Sequence, residues 1–163
     1  MGTQAMDNDT PPVYSISAAH GHSQCLMCGE FNPCSLHLSF ILADDGSVSA
    51  RFNAHSRLQG YTGILHGGVI ASLLDAAMTH CLFHHGIEAV TADLHVRYAQ
   101  AIACDACLDI WAASIESRPP LFRLRGEIAQ DGHLMAWSEA KFLLRQRAQP
   151  LPGNGAGITL KVL

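Results

Sequence analysis

The stretch Gly60-Tyr61-Thr62-Gly63-Ile64-Leu65-His66-Gly67-Gly68-Val69-Ile70-Ala71-Ser72-Leu73-Leu74-Asp75-Ala76-Ala77-Met78 decides the fold. Glycines at 60, 63, 67 and 68 punctuate its first half, which therefore reads as a loop leading to a helix start. From Gly68 the apolar spacing becomes helical. Ile70, Leu73, Leu74, Ala77, Met78 and Cys81 fall in one stripe at about 100° per residue, and the pattern runs to about His84 before Gly86 closes it.

On both sides of this helix the period is two. Upstream, Leu36, Leu38, Phe40 and Leu42 alternate with His37, Ser39 and Ile41, which predicts a strand. Asp44-Asp45-Gly46 supplies turn chemistry, and Val48, Ala50 and Phe52 resume the alternation as the second arm of a hairpin. Downstream, Ala92, Leu94, Val96 and Tyr98 alternate with Thr91, Asp93, His95 and Arg97. Leu108, Ile110 and Ala112 follow, then Phe122, Leu124 and Ile128 after Pro119-Pro120, then Ala136, Ala140, Phe142 and Leu144 after Asp131-Gly132. Connections this short predict that these last four strands form an antiparallel meander. One helix with a broad apolar stripe has only that sheet to cover it, so the fold class is α+β, an antiparallel sheet of five to six strands wrapped around one long central helix, with a helix lying on one face of a flat sheet as the less committed version.

The chain of 163 residues is 48% hydrophobic and 15% charged, enough for one domain with a real core. Residues 1–24 read as a flexible lead-in, 25–147 as the folded domain and 148–163 as an irregular tail rich in Pro and Gly. A net charge of -4 and the absence of a polybasic window argue against a nucleic-acid partner. No run approaches the roughly 20 apolar residues of a membrane span, and the N-terminus has no secretory pattern. A cytoplasmic protein is expected, with its six cysteines reduced rather than paired.

The chemistry concentrates at the helix start. Gly67 and Gly68 allow close approach to the backbone and leave N–H groups pointing outward at the positive end of the helix dipole, which suits an oxyanion or a phosphate. Asp75 lies about 120–130° from the centre of the apolar stripe, at the flank of the buried face. A carboxylate there can be partly desolvated yet charged, as a general base or nucleophile requires. A solvated polar residue on a helix flank and a tight glycine entry turn explain the same pattern, and spacing does not separate these readings.

GYTGILHGGVIASLLDAAM resembles the H-G-G-x-x-x-x-L-x-D signature of hotdog-fold acyl-CoA thioesterases of the phenylacetate-degradation type. CLMCGEFNPCSLHLSF is similar to the C-x-x-C-G-x-x-N-P-x-x-L-x-L-x-F opening of many members, and ADLHVRYAQAI to the strand after the helix. The match covers about residues 25–145. The resemblance implies a hotdog fold and hydrolysis of a small or medium acyl-CoA, aromatic ones included, to free acid and CoA. It makes Asp75 the general base or nucleophile, Gly67 the oxyanion donor and His66 a positioning residue. Gly68, Gln59, Gly60 and Thr91 would line the substrate, Thr91 as a hydroxyl that orients the attacking water. Where some relatives carry Asn six residues before the motif His, this chain has Gly60. The resemblance also implies a homodimer or homotetramer whose active site lies at the subunit interface, with carboxylate and oxyanion donor from different subunits. No cofactor is implied. The alternatives are a non-catalytic acyl-CoA-binding module and an acyl-thioester hydratase or dehydratase; the latter pairs a His with an acidic residue in a signature this chain lacks.

Two C-x-x-C pairs, Cys25/Cys28 and Cys104/Cys107, would make a tetrahedral metal site if the fold joined them, with His20, His22 and Cys34 near the first pair. The motif recurs in the family without implying zinc chemistry, so no metal ligand is assigned. His80, His84 and His85 are expected in capping and surface roles at the helix end, and Trp111 and Trp137 in sheet packing.

Overall fold

In the computed structural model, residues 21–145 are described. The lead-in up to residue 20 and the whole expected tail lie outside the described residues. The elements are β1 (Ile41–Leu42), β2 (Val48–Asn53), α1 (Gly67–His84), β3 (Ala89–Tyr98), β4 (Cys107–Arg118), β5 (Leu121–Gln130) and β6 (His133–Leu144), with a 3-10 turn at Ser56–Leu58. The six strands form one antiparallel sheet in the order β1-β2-β4-β5-β6-β3.

The two-residue period becomes burial as expected. Val48, Ala50 and Phe52 on β2, Leu108, Ile110 and Ala112 on β4, and Phe122, Leu124 and Ile128 on β5 all face the helix and are buried. Every residue of the predicted helical stripe is buried too. Gly126, mid-β5, lies where helix and sheet approach closely. A β-carbon there would stand 3.3 Å from both the Leu74 side chain and Ser138 Oγ, and 3.5 Å from the Leu74 carbonyl oxygen.

Four expectations are corrected. The strand predicted over residues 36–42 pairs only at Ile41–Leu42. Upstream, the Leu36 and Leu38 N–H groups donate to the Leu26 and Met27 carbonyls, so a neighbouring loop rather than β2 takes the backbone bonds. Leu38 and Phe40 are nevertheless buried.

The last four strands are not a simple meander. β4, β5 and β6 are, but β3 pairs with β6 at the far edge. The helix explains this. Its 18 residues span about 27 Å, more than the roughly 19 Å across four strand spacings, so α1 leaves β2 at one side and delivers the chain to the opposite edge. Residues 99–106 then carry it back to β4.

The alternation along β3 is broken between Thr91 and Asp93 by a register shift. Thr91 stands opposite Phe142 and Leu94 opposite Ala140, and both of those partners are buried against the helix. Directly opposed residues share a face, so the bulge puts Thr91 on the same side as Leu94 rather than the other.

The second half of α1 is enclosed all round, with Ala76, His80, Leu82 and Phe83 buried as well as the stripe. The segment carrying Met27, Leu38 and Phe40 covers the side that the sheet leaves open. His80 is therefore core, not surface: its ring stacks 4.4 Å from Phe40 and it is 5% exposed. His85 does act at the helix end, its Nδ1 lying 2.8 Å from the Cys81 carbonyl oxygen. Trp137 lies under the Arg125 guanidinium at 4.6 Å.

Candidate active site

The loop before α1 is a closed hydrogen-bonded frame. Gly60 N–H donates to the Ile64 carbonyl and His66 N–H to that of Leu58. Leu65 N–H donates to Ile102 and Cys104 N–H to Gly63, which ties the loop to residues 99–106. The Gln59 side-chain oxygen accepts from Gly63 N–H at 3.1 Å, so that oxygen braces the loop's own turn. Gly60 backs onto the His66 imidazole, which lies 3.3 Å from where a β-carbon would stand.

His66 is the helix N-cap. Its Nδ1 accepts from Gly68 N–H at 2.8 Å, and its carbonyl accepts from Val69 and Ile70. That ring must therefore carry any proton on Nε2 when neutral. These bonds use the Gly68, Val69 and Ile70 donors. The Gly67 N–H has no hydrogen-bond partner among the described residues, and it stands at the positive end of α1. The Gly67 carbonyl, in the next peptide unit, accepts from the Tyr98 hydroxyl at 3.0 Å, which ties the first turn of α1 to the end of β3. Sequence reasoning missed Tyr98: as the last residue of an alternating strand it looked like any other apolar position.

Asp75 sits at the half-buried flank that helix geometry predicts, facing β3. The Thr91 hydroxyl donates to its Oδ1 at 2.6 Å, so two of the sequence candidates meet. Burial raises the Asp75 pKa above the usual aspartate value, and the Thr91 hydrogen bond opposes that rise. Oδ1 is engaged, while Oδ2 has no hydrogen-bond partner among the described residues.

Asp75 and Gly67 are not brought together within one chain. They are eight residues apart on one helix, about 12 Å along its axis, whereas a reacting carbonyl must lie near 3 Å from its donor. β3 is an edge strand, with Tyr98 53% exposed beside it.

Among the described arginines, Arg51, Arg118, Arg123, Arg125 and Arg145 are in ion pairs, whereas Arg57 and Arg97 have no carboxylate partner among the described residues. A groove of about 380 Å³ lies on the face of β2 and β4 away from the helix, lined by Arg51, Asp109 and Trp111 among others. It is at the other end of the sheet from Asp75 and holds none of the candidate residues.

A family model described as the thioesterase superfamily matches residues 62–131, which include the helix-start loop from Thr62 onward, Asp75 and Thr91. A crystal structure of a thioesterase superfamily protein is similar at 26% identity and a TM-score of 0.67, over 71% of this chain and 60% of that one. This chain carries a hotdog fold like that of the thioesterase superfamily protein.

Other hotdog structures agree in fold. A hypothetical thioesterase with coenzyme A from Streptococcus pneumoniae is 19% identical with a TM-score of 0.63, over 68% of this chain and 88% of that one. A mutant of the phenylacetic acid degradation protein PaaI from Thermus thermophilus is 21% identical with a TM-score of 0.62, over 68% and 95%. No curated protein matches the chain. This hotdog domain spans less than two thirds of the first relative's length. Among the described residues no helix is long and apolar enough to cross a membrane.

Proposed function

We propose that this hotdog protein hydrolyses acyl-CoA thioesters, with Asp75 as general base. The observation that carries the reading is the Thr91–Asp75 pair at 2.6 Å. A threonine hydroxyl bound to Oδ1 holds the carboxylate in one orientation and leaves Oδ2 for a water. Partial burial makes that carboxylate more basic than an exposed one.

In the proposed step Asp75 Oδ2 removes a proton from water as the oxygen attacks the thioester carbonyl. The carbonyl oxygen becomes negative and faces the Gly67 N–H at the positive helix end. Collapse expels the CoA thiolate, which then takes up the proton. One positioned N–H contributes about 10²–10³ in rate to such chemistry, and a thiolate leaves without a strong general acid. The 12 Å axial separation of Asp75 and Gly67, estimated from helix rise, requires a second copy of the chain to supply the oxyanion donor. Arg57 and Arg97, free of carboxylates among the described residues, are the proposed contacts for CoA phosphates.

The test is free-thiol release from acyl-CoAs ranging from acetyl to palmitoyl, with phenylacetyl and benzoyl included, for wild type beside Asp75→Asn. Turnover on at least one substrate is expected, falling by about 10²-fold or more in the variant. Equal rates in both proteins would remove Asp75 from the chemistry. A folded wild type that binds acyl-CoA without releasing thiol would make it a binding module instead.

A further inference from the structure

Of the two C-x-x-C pairs, the fold uses them differently. Cys104 is buried and Cys107 exposed, and neither joins another metal-ligating group among the described residues. Cys25 and Cys28 instead converge with His22, each offering one ligand atom, all within 4.8 Å of one another. All three residues are half-buried.

The backbone around them is wound into a knuckle. Cys25 N–H donates to the His22 carbonyl, Gly29 N–H to that of Cys25 at 2.8 Å, and Phe31 N–H to that of Ser23. Met27 N–H points at Cys25 Sγ, 3.4 Å away, a donor placed to stabilise a thiolate there. Only glycine fits after the second cysteine: a β-carbon at Gly29 would stand 2.5 Å from both the Cys25 nitrogen and its carbonyl oxygen. Cys28 Sγ lies 3.7 Å from His22 Nδ1. A tetrahedral ion with ordinary zinc–sulfur and zinc–nitrogen bonds needs about 3.6 Å between such a pair. The spacing is therefore that of two ligands on one ion.

We propose that His22, Cys25 and Cys28 bind a zinc ion, as its three ligands among the described residues. The donor set contains soft sulfur and imidazole and no carboxylate, which selects zinc over magnesium or calcium. The ion clamps a loop rather than serving Asp75. The His22 ring packs edge-on against Phe83 near the end of α1 at 4.6 Å, and Met27 of the same loop reaches the core. Zinc therefore pins the covering segment to the buried half of the helix. This inference does not depend on the thioesterase reading.

The experiment uses the reduced full-length protein, stripped with a chelator and titrated with zinc or cobalt(II) alone. About one ion per chain is expected, with sulfur-to-cobalt charge-transfer absorption and a higher Tm when zinc is added. Zinc should protect Cys25 and Cys28 from alkylation, read peptide by peptide, and leave Cys34 and Cys107 reactive. Cys28→Ser should hold less than about a tenth of an ion, while Cys107→Ser holds the wild-type amount. Should Cys28→Ser fail to fold, the protection pattern of the wild type decides. A folded, reduced wild type that takes up no zinc, equal alkylation of Cys25 and Cys28 with and without zinc, or full occupancy in Cys28→Ser would each overturn the proposal.

Discussion

The two halves of α1 treat ionisable side chains in opposite ways. In the first half, Asp75 lies at a half-buried flank with a hydroxyl donor at 2.6 Å, so its charge has one strong partner and an opening to solvent. In the second half, His80 is walled in by Phe40 and Phe83, and neither ring nitrogen has a hydrogen-bond partner among the described residues. Burial, with help from the nearby His22 and His84, pushes the His80 pKa down to about 4. One helix thus keeps a charge where a donor and water can reach it and keeps an ionisable ring neutral where they cannot. What separates the two positions is the covering segment with Met27, Leu38 and Phe40, which lies over the second half.

The harshest way to break this contrast is to put a carboxylate in the enclosed half. Ala77 is fully buried, and Ala77→Asp should cost about 4 kcal/mol or prevent folding, as an uncompensated buried charge does. The same carboxylate at half-buried Ser72, near the positive helix end, should cost less than about 1 kcal/mol. Urea unfolding of the two variants measures the difference, and equal losses would mean that the two positions are not electrostatically distinct.

A smaller effect follows from His80 itself. Its pKa is lower in the folded chain than the ordinary 6.5, so the unfolded chain binds the proton more readily. Stability is fully present above pH 6.5 and is lost as pH falls from there toward about 4. In His80→Leu the drop in urea midpoint between about pH 7 and about pH 5 should shrink. An unchanged drop would assign the acid sensitivity to other groups.

The mildest probe is Thr91→Val. Its hydroxyl is what opposes the upward push of burial on Asp75, so its removal should move the acidic limb of kcat/KM to higher pH. The rate above that limb should fall by less than about tenfold, the scale of one hydrogen bond to a charge. A limb that stays in place would mean that Asp75 is not the group titrating in the reaction.

Much of this arrangement is legible in the residues, and the gaps have physical causes. The period of two at Val48, Ala50 and Phe52 and the helical stripe from Ile70 to Cys81 are local properties, and both became burial. The position of Asp75 at the flank followed from helix geometry alone. The pairing of β3 with β6 did not, because edge choice depends on how far α1 carries the chain rather than on any pattern within β3. The bulge at Ala92 was hidden for a related reason. The apparent alternation continues through it, and only the partner strand reveals that Thr91 has changed face. His80 was misread because the segment that buries it is distant in sequence. The proximity of His22 to Cys25 and Cys28 was visible as spacing, but its convergence required the turn at Gly29.

The connection over residues 99–106 exists because β3 lies at the wrong edge for a direct hairpin to β4. It is also what braces the loop before the helix, through the Ile102 carbonyl, the Cys104 amide and the bridge between Ile64 and Ala103. Tyr98, where that connection begins, holds the Gly67 carbonyl. The topological detour is therefore a strut, and its length sets where the entrance of α1 stands. Lengthening the chain at the Asp131-Gly132 turn extends a hairpin into solvent, whereas lengthening it here displaces the helix entrance. Insertions should accordingly accumulate at the first place and be excluded from the second as the fold diverges.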